Sequence, residues 1–159
     1  MIYTFFIYFI IYSFTIFFAY IAKIYKIANN KLYHVFLVFS VLFYSLIIGL
    51  RYDVGLDYGA YFDLVNGYNI FELERVELFP RYLTLFVQNN HIPFYVWFMI
   101  MAGISIYFIE KVFCKDLVFL LPISVLLYLL YYLDFNVNVV RQACAVSIVL
   151  FSYSFLPIK

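Results

Sequence analysis

From Ile2 to Ala22 the chain carries no side chain that is charged at neutral pH, and the pattern returns in Leu32–Leu50, Ile92–Ile109 and Leu117–Leu133. A further apolar stretch, Val139–Leu156, is broken only by Arg141. Runs of this length constrain the fold more than anything else in the sequence. About 20 mainly apolar residues cross the hydrocarbon of a bilayer as a helix, whereas a lone strand in lipid leaves its backbone groups unsatisfied. Hydrophobic residues make up 68% of the chain and charged ones 12%, against about 45–50% and about 25% in soluble domains. That is more apolar surface than a water-soluble core hides. The expected fold is all-α, a polytopic transmembrane helix bundle whose spans are the stretches just named. They belong to one integral membrane domain over residues 1–159.

Several function classes fall away on composition. The formal charge is +1 and no lysine- or arginine-rich block occurs, so nothing points to nucleic acid. Cys114 and Cys144 lack metal-ligand spacing, and no metal site or disulfide framework is indicated. Cys144 reads as a small buried hydrophobe and Cys114 as a free thiol. The N-terminus has no basic segment before its apolar run and no small-residue cleavage site, so the first span is retained rather than removed as a signal peptide. Pro122 lies early in the fourth span, where a kink is tolerated.

Basic residues in short loops set orientation. Lys23, Lys26 and Lys31 follow the first span, Lys111 and Lys115 follow the third, and Lys159 ends the chain. With these spans all six lysines fall on one side, which is then cytoplasmic. The N-terminus and the loop over residues 51–91 face outward. That loop holds Arg51, Arg75 and Arg81 against Asp53, Asp57, Asp63, Glu72, Glu74 and Glu77.

Within the loop, "GLRYDVGLDYGAYFDLVNG" concentrates charge and glycine in a chain that elsewhere avoids both. Asp57 is placed to cap a helix, and Tyr58, Tyr61, Phe62 and Val65 follow as one apolar stripe. An amphipathic helix on the outer membrane surface fits, with its tyrosines at headgroup level. The segment "ELFPRYLTLFVQNN" is too short to span and reads as an interfacial or re-entrant half-helix. Arg51 stands at a membrane boundary on the side that basic residues avoid, and an arginine fork suits a phosphate or carboxylate. In the last span, Asn138, Arg141, Gln142 and Ala145 recur at helical spacing, a polar small-residue face expected to point into the bundle. One reading of that face is helix-to-helix glue, with Arg141 bonded to a carbonyl or to Asp134. The other is an anion-binding face open to the outside. Arg51, Asp57, Glu77, Arg81 and Arg141 all map to the outer side. Arginines opposite carboxylates in a partly dry site suit a phosphate-bearing lipid and an acid or base.

Three motifs taken in order resemble those of the EpsG family of bacterial polysaccharide polymerases. They are Arg51-Tyr52-Asp53-Val54-Gly55-Leu56-Asp57-Tyr58-x-x-Tyr61, then Glu77-Leu78-Phe79, then Asn138-Val139-Val140-Arg141-Gln142. The resemblance implies an O-antigen-polymerase-like enzyme in the bacterial inner (cytoplasmic) membrane, assembling exopolysaccharide or lipopolysaccharide on its periplasmic face. Its substrate would be an undecaprenyl-diphosphate-linked oligosaccharide, with membrane lipid and other polysaccharide-assembly proteins as partners and no cofactor. Asp57 and Glu77 match family acids and become the candidate acid and base. Arg51 and Arg141 match family arginines and become diphosphate ligands, while Tyr58, Tyr61, Arg81, Asn138 and Gln142 complete a substrate-binding set. Family members run longer, so the resemblance further implies an N-terminal half, truncated at its C-terminus. The competing readings are a lipid-linked-oligosaccharide flippase component, a non-catalytic membrane partner and an inactive truncated product. An acyltransferase lacks a supporting histidine motif, because His34 and His91 stand alone.

Overall fold

The computed structural model describes residues 2–50, 57–68, 73–138 and 140–156, with side chains at 9–10, 12–50, 57–68, 73–115, 117–129 and 140–156. Those residues are entirely helical apart from turns and short connections. The helices are α1 (Ile2–Ile27), α2 (Tyr33–Gly49), α3 (Tyr58–Asn66), α4 (Leu78–Asn89), α5 (Tyr95–Asp116), α6 (Leu121–Asn138) and α7 (Val140–Tyr153). A 3-10 turn over Val118–Leu120 leads into α6. Each expected span is therefore a helix, with ends displaced by a few residues. Among the described residues, α5 is the helix long and apolar enough to cross a membrane, over Tyr95–Lys115, while α2 and α7 are apolar but shorter.

α1 and α2 form an antiparallel hairpin closed by aromatic stacking. Phe14 lies on Phe43 at 5.2 Å between ring centroids, Phe18 on Phe39 at 5.4 Å, and Tyr25 on Phe36 at 5.0 Å. α2 then packs against α5, α5 against α7, and α1 against α6. Small residues bring α2 and α5 together, as is usual where lipid supplies no hydrophobic drive between helices. A Cβ on Gly49 would stand 2.0 Å from Met99 Cγ and 3.1 Å from the Tyr95 carbonyl. One on Gly103 would stand 2.7 Å from Ser45 Oγ.

Two prolines resolve simply. Pro80 is the third residue of α4 and Pro122 the second of α6, both in a first turn where the missing N–H has no intrahelical partner to lose. At Pro122, where the sequence tolerates a kink, the structure has a helix start. Two other expectations are corrected by burial. Glu110 and Cys114, placed by sequence in the cytoplasmic connection, lie inside α5, which runs on to Asp116, and both are buried. On α7 the buried face is Val140, Ala143, Cys144 and Ser147, not the face of Gln142 and Ala145, which are exposed. The small side chains of Ala143, Cys144 and Ser147 let α7 approach α5, and that packing decides the rotation of the helix.

The ends of the bundle differ in charge. Lys23 reaches Phe119 at 6.0 Å, Lys26 covers the Tyr33 ring at 4.4 Å, and Lys115 bonds the Ser154 carbonyl. These contacts join the C-terminus of α1, the N-terminus of α2, the 3-10 turn and the C-termini of α5 and α7 at one end. The opposite end carries α3, α4, Arg75, Arg81 and Arg141.

Candidate functional site

At the arginine end, α3 is held down by aromatic packing. Tyr58, Tyr61, Leu64 and Val65 are its buried residues. Tyr58 stacks on Phe98 with centroids 5.8 Å apart and planes 4° from parallel, and Tyr61 leans on Trp97 at 5.3 Å. Trp97 and Phe98 are wholly buried in the first turn of α5. The apolar stripe of α3 thus packs on protein rather than lying at lipid headgroups. Aromatic neighbours were within reach in α5, and each such pair adds about 0.5–1.5 kcal/mol beyond area burial. Asp57 occupies the N-cap position, but its side chain makes no capping hydrogen bond. At the other end of α3, Gly67 takes the left-handed conformation that ends the helix, with φ 81°. There Gln88 of α4 donates from Nε2 to the Leu64 carbonyl at 3.0 Å.

A cavity of about 340 Å³ opens between α3, the segment before α4 and the start of α7. Asp57, Tyr61, Arg75, Val76 and Arg141 are among its lining residues. Arg141 donates from Nη1 to Glu77 Oε2 at 2.8 Å, and its guanidinium carbon lies 5.7 Å from the centre of the Tyr61 ring. The side chains of this pair are 31% and 68% exposed for Arg141 and Glu77 respectively. The pair therefore orients the guanidinium more than it stabilises the fold. Arg141 Nε is buried and meets no acceptor. The site therefore brings together two guanidiniums, one carboxylate facing the cavity and a second carboxylate holding one of the guanidiniums. Arginine forks of this kind bind phosphate or carboxylate oxygens in pairs.

Of the residues singled out by sequence, Asp57, Tyr61 and Arg141 line the cavity, and Glu77 joins it through Arg141. Tyr58 lies beneath it in the aromatic cluster. Arg81 is half-buried on α4 and Gln142 exposed on α7, and neither is in the lining. Arg51 lies outside the described residues, as does the side chain of Asn138. Arg141 pairs with Glu77; the side chain of Asp134, the partner expected from sequence, is also outside the described residues. Sequence reasoning passed over Arg75. Its signal was available: like Arg51, it is a basic residue in the loop assigned to the side that basic residues avoid. Among the described residues no cluster of His, Cys, Asp and Glu has the makings of a metal site.

A larger cavity of about 440 Å³ separates α6 from α7 and is floored by α5. Its walls are apolar apart from Ser124, Ser147 and Tyr128, so it lacks the charges that chemistry on an anion needs.

No curated protein and no solved structure matches the chain. A model of the EpsG family does, over residues 34–159, a stretch that takes in every cavity-lining side chain and the Glu77–Arg141 pair. With the greater part of its length inside that match, the chain belongs to the EpsG family.

Proposed function

We propose that this membrane protein acts in the polymerisation of a bacterial surface polysaccharide, with the arginine-lined cavity as its reaction site. The observation that carries the reading is the convergence of Arg75, Arg141 and Asp57 on one cavity at the end of the bundle opposite the lysines. The substrate is a glycan linked through its anomeric carbon to a lipid diphosphate, and the acceptor is a hydroxyl on the sugar of a second lipid-linked repeat unit. Asp57 takes the acceptor proton as the hydroxyl oxygen bonds to the anomeric carbon. The bond from that carbon to the phosphate oxygen breaks, and its electrons leave with the lipid diphosphate. Arg75 and Arg141 hold the diphosphate as negative charge grows on it, the role in which fixed donors contribute most. Glu77 keeps the Arg141 fork in place.

The chain crosses the inner membrane several times, with its N-terminus and its arginine end on the periplasmic side. Supporting this, Phe17, Val38, Leu42, Ile123 and Val149 stand exposed on the outer faces of α1, α2, α6 and α7, as lipid-facing side chains would. A transport role needs charged groups along several helices to make a path. Among the described residues Glu110 is the one fully buried charged type, and it lies far from the arginines, so transport is the weaker reading.

The test is complementation of a strain that lacks its own polymerase but keeps the matching repeat-unit pathway. The native chain is expected to restore a glycan ladder, and Arg75→Ala, Arg141→Ala and Asp57→Asn to leave single repeat units. General-base and anion-stabilising groups each contribute roughly 10²–10⁴-fold and 10²–10³-fold to rate. Ladders unchanged in all three variants would remove this cavity from the reaction.

A further inference from the structure

Glu110 is the one fully buried carboxyl among the described residues, on α5 in the half of the bundle nearer the lysines. It lies six residues before the end of α5, about 9 Å in along the axis. Its Oε1 is 2.5 Å from Ser40 Oγ on α2. The same Ser40 oxygen is 3.0 Å from the Thr15 carbonyl on α1. Glu110 Oε2 has no hydrogen-bond partner, and among the described residues no lysine, arginine or histidine pairs with the carboxyl.

Counting protons decides the state of this group. Ser40 owns one hydroxyl hydrogen. The Thr15 carbonyl has none to give, so a hydrogen bond between those two uses the serine hydrogen. The 2.5 Å contact then requires a proton from Glu110. An ionised Glu110 would have to take the serine hydrogen for itself. That leaves two lone-pair oxygens facing each other at 3.0 Å and a buried negative charge with no cation beside it, an arrangement proteins avoid. On its own helix Glu110 is followed by Lys111 and, one turn further along, by Cys114, and Lys111 makes no ion pair with the carboxyl.

We propose that Glu110, Ser40 and the Thr15 carbonyl form a proton-binding site. Glu110 holds the proton as an un-ionised carboxylic acid and donates to Ser40, which donates to Thr15, tying α5, α2 and α1 in one chain of hydrogen bonds. One carboxyl, one hydroxyl and one carbonyl are too few oxygens for a hard cation, which takes six or more, so the ligand is the proton itself. The site is separate from the arginine-lined cavity, since Trp97 and Glu110 are 13 positions apart on α5, about 20 Å.

Infrared difference spectroscopy on the purified full chain in nanodiscs at neutral pH tests this, subtracting Glu110→Gln from the native protein. The expected native spectrum holds the carbonyl stretch of an un-ionised carboxylic acid, moved to lower frequency in D₂O and missing from the variant. A difference containing only the paired stretches of a carboxylate overturns the proposal. Should the variant fail to fold, the native chain grown with glutamate ¹³C-labelled at its side-chain carboxyl carbon gives the same reading without a mutation. An isotope-shifted carboxylic acid band supports the site, and its absence overturns it.

Discussion

At the level of single residues, the Glu77–Arg141 contact separates what holds the fold from what the site requires. The pair is short at 2.8 Å, with the Glu77 side chain 68% exposed and that of Arg141 31%, and ion pairs with so open a partner contribute about 0–1 kcal/mol to stability. Glu77→Gln and Arg141→Ala are therefore both expected to change unfolding free energy by less than about 1 kcal/mol. Arg141→Ala should nonetheless lower polymerisation by roughly 10²–10³-fold, the effect of removing one donor aimed at developing negative charge. Arg141→Lys should recover only part of that loss, because an ammonium keeps the charge but not the paired donors of the fork. Denaturant titration beside quantified glycan ladders checks both halves. A stability loss that tracks the activity loss would mean that Arg141 is a structural residue. That Arg141 matters was legible in the sequence, because an arginine in a membrane-length apolar run needs a reason. Its partner was not legible. Glu77 is 64 positions away, and Asp134 was nearer along the chain but no better marked.

The element that carries the site is α3, a helix of nine residues, too short to persist alone. What keeps it in place is the first turn of α5, where Phe98 meets Tyr58, Tyr61, Phe94 and Trp97. Phe98→Ala should cost about 3–5 kcal/mol, as large-to-small changes at buried aromatics do. It should also let water reach Trp97, the single tryptophan of the chain, so that its fluorescence moves to longer wavelength. Polymerisation should fail with both cavity arginines intact. An unshifted emission would mean that α3 does not depend on this contact. The helix itself was readable from its apolar stripe and the aspartate before it. Its environment was not, because one amphipathic stripe serves equally against lipid or against protein, and only the aromatic turn of α5 selects protein. The same ambiguity concealed Glu110: a charged residue after an apolar run reads as the end of a span, although α5 continues past it to Asp116.

For the molecule as a whole, the question is which end faces which side of the membrane. Lysines cap one end and arginines with carboxylates the other, and the cavity lies wholly within the second. The positive-inside rule counts lysine and arginine alike, so the arginine end can face outward only if the lysines prevail. Five of them, Lys23, Lys26, Lys31, Lys111 and Lys115, lie in or beside the short connections at their end, where the rule is strongest. Arg75 and Arg141 lie around a cavity that Asp57 also lines, where binding rather than insertion accounts for them. Cysteine accessibility decides the matter with little background, since Cys114 and Cys144 are both free and buried. Tyr68→Cys, at an exposed position just after α3, should react with a membrane-impermeant maleimide added to intact spheroplasts. Asn30→Cys, in the exposed turn between α1 and α2, should react only after the membrane is opened. The reverse pattern would put the cavity on the cytoplasmic side and would retire the orientation together with polymerisation on the periplasmic face.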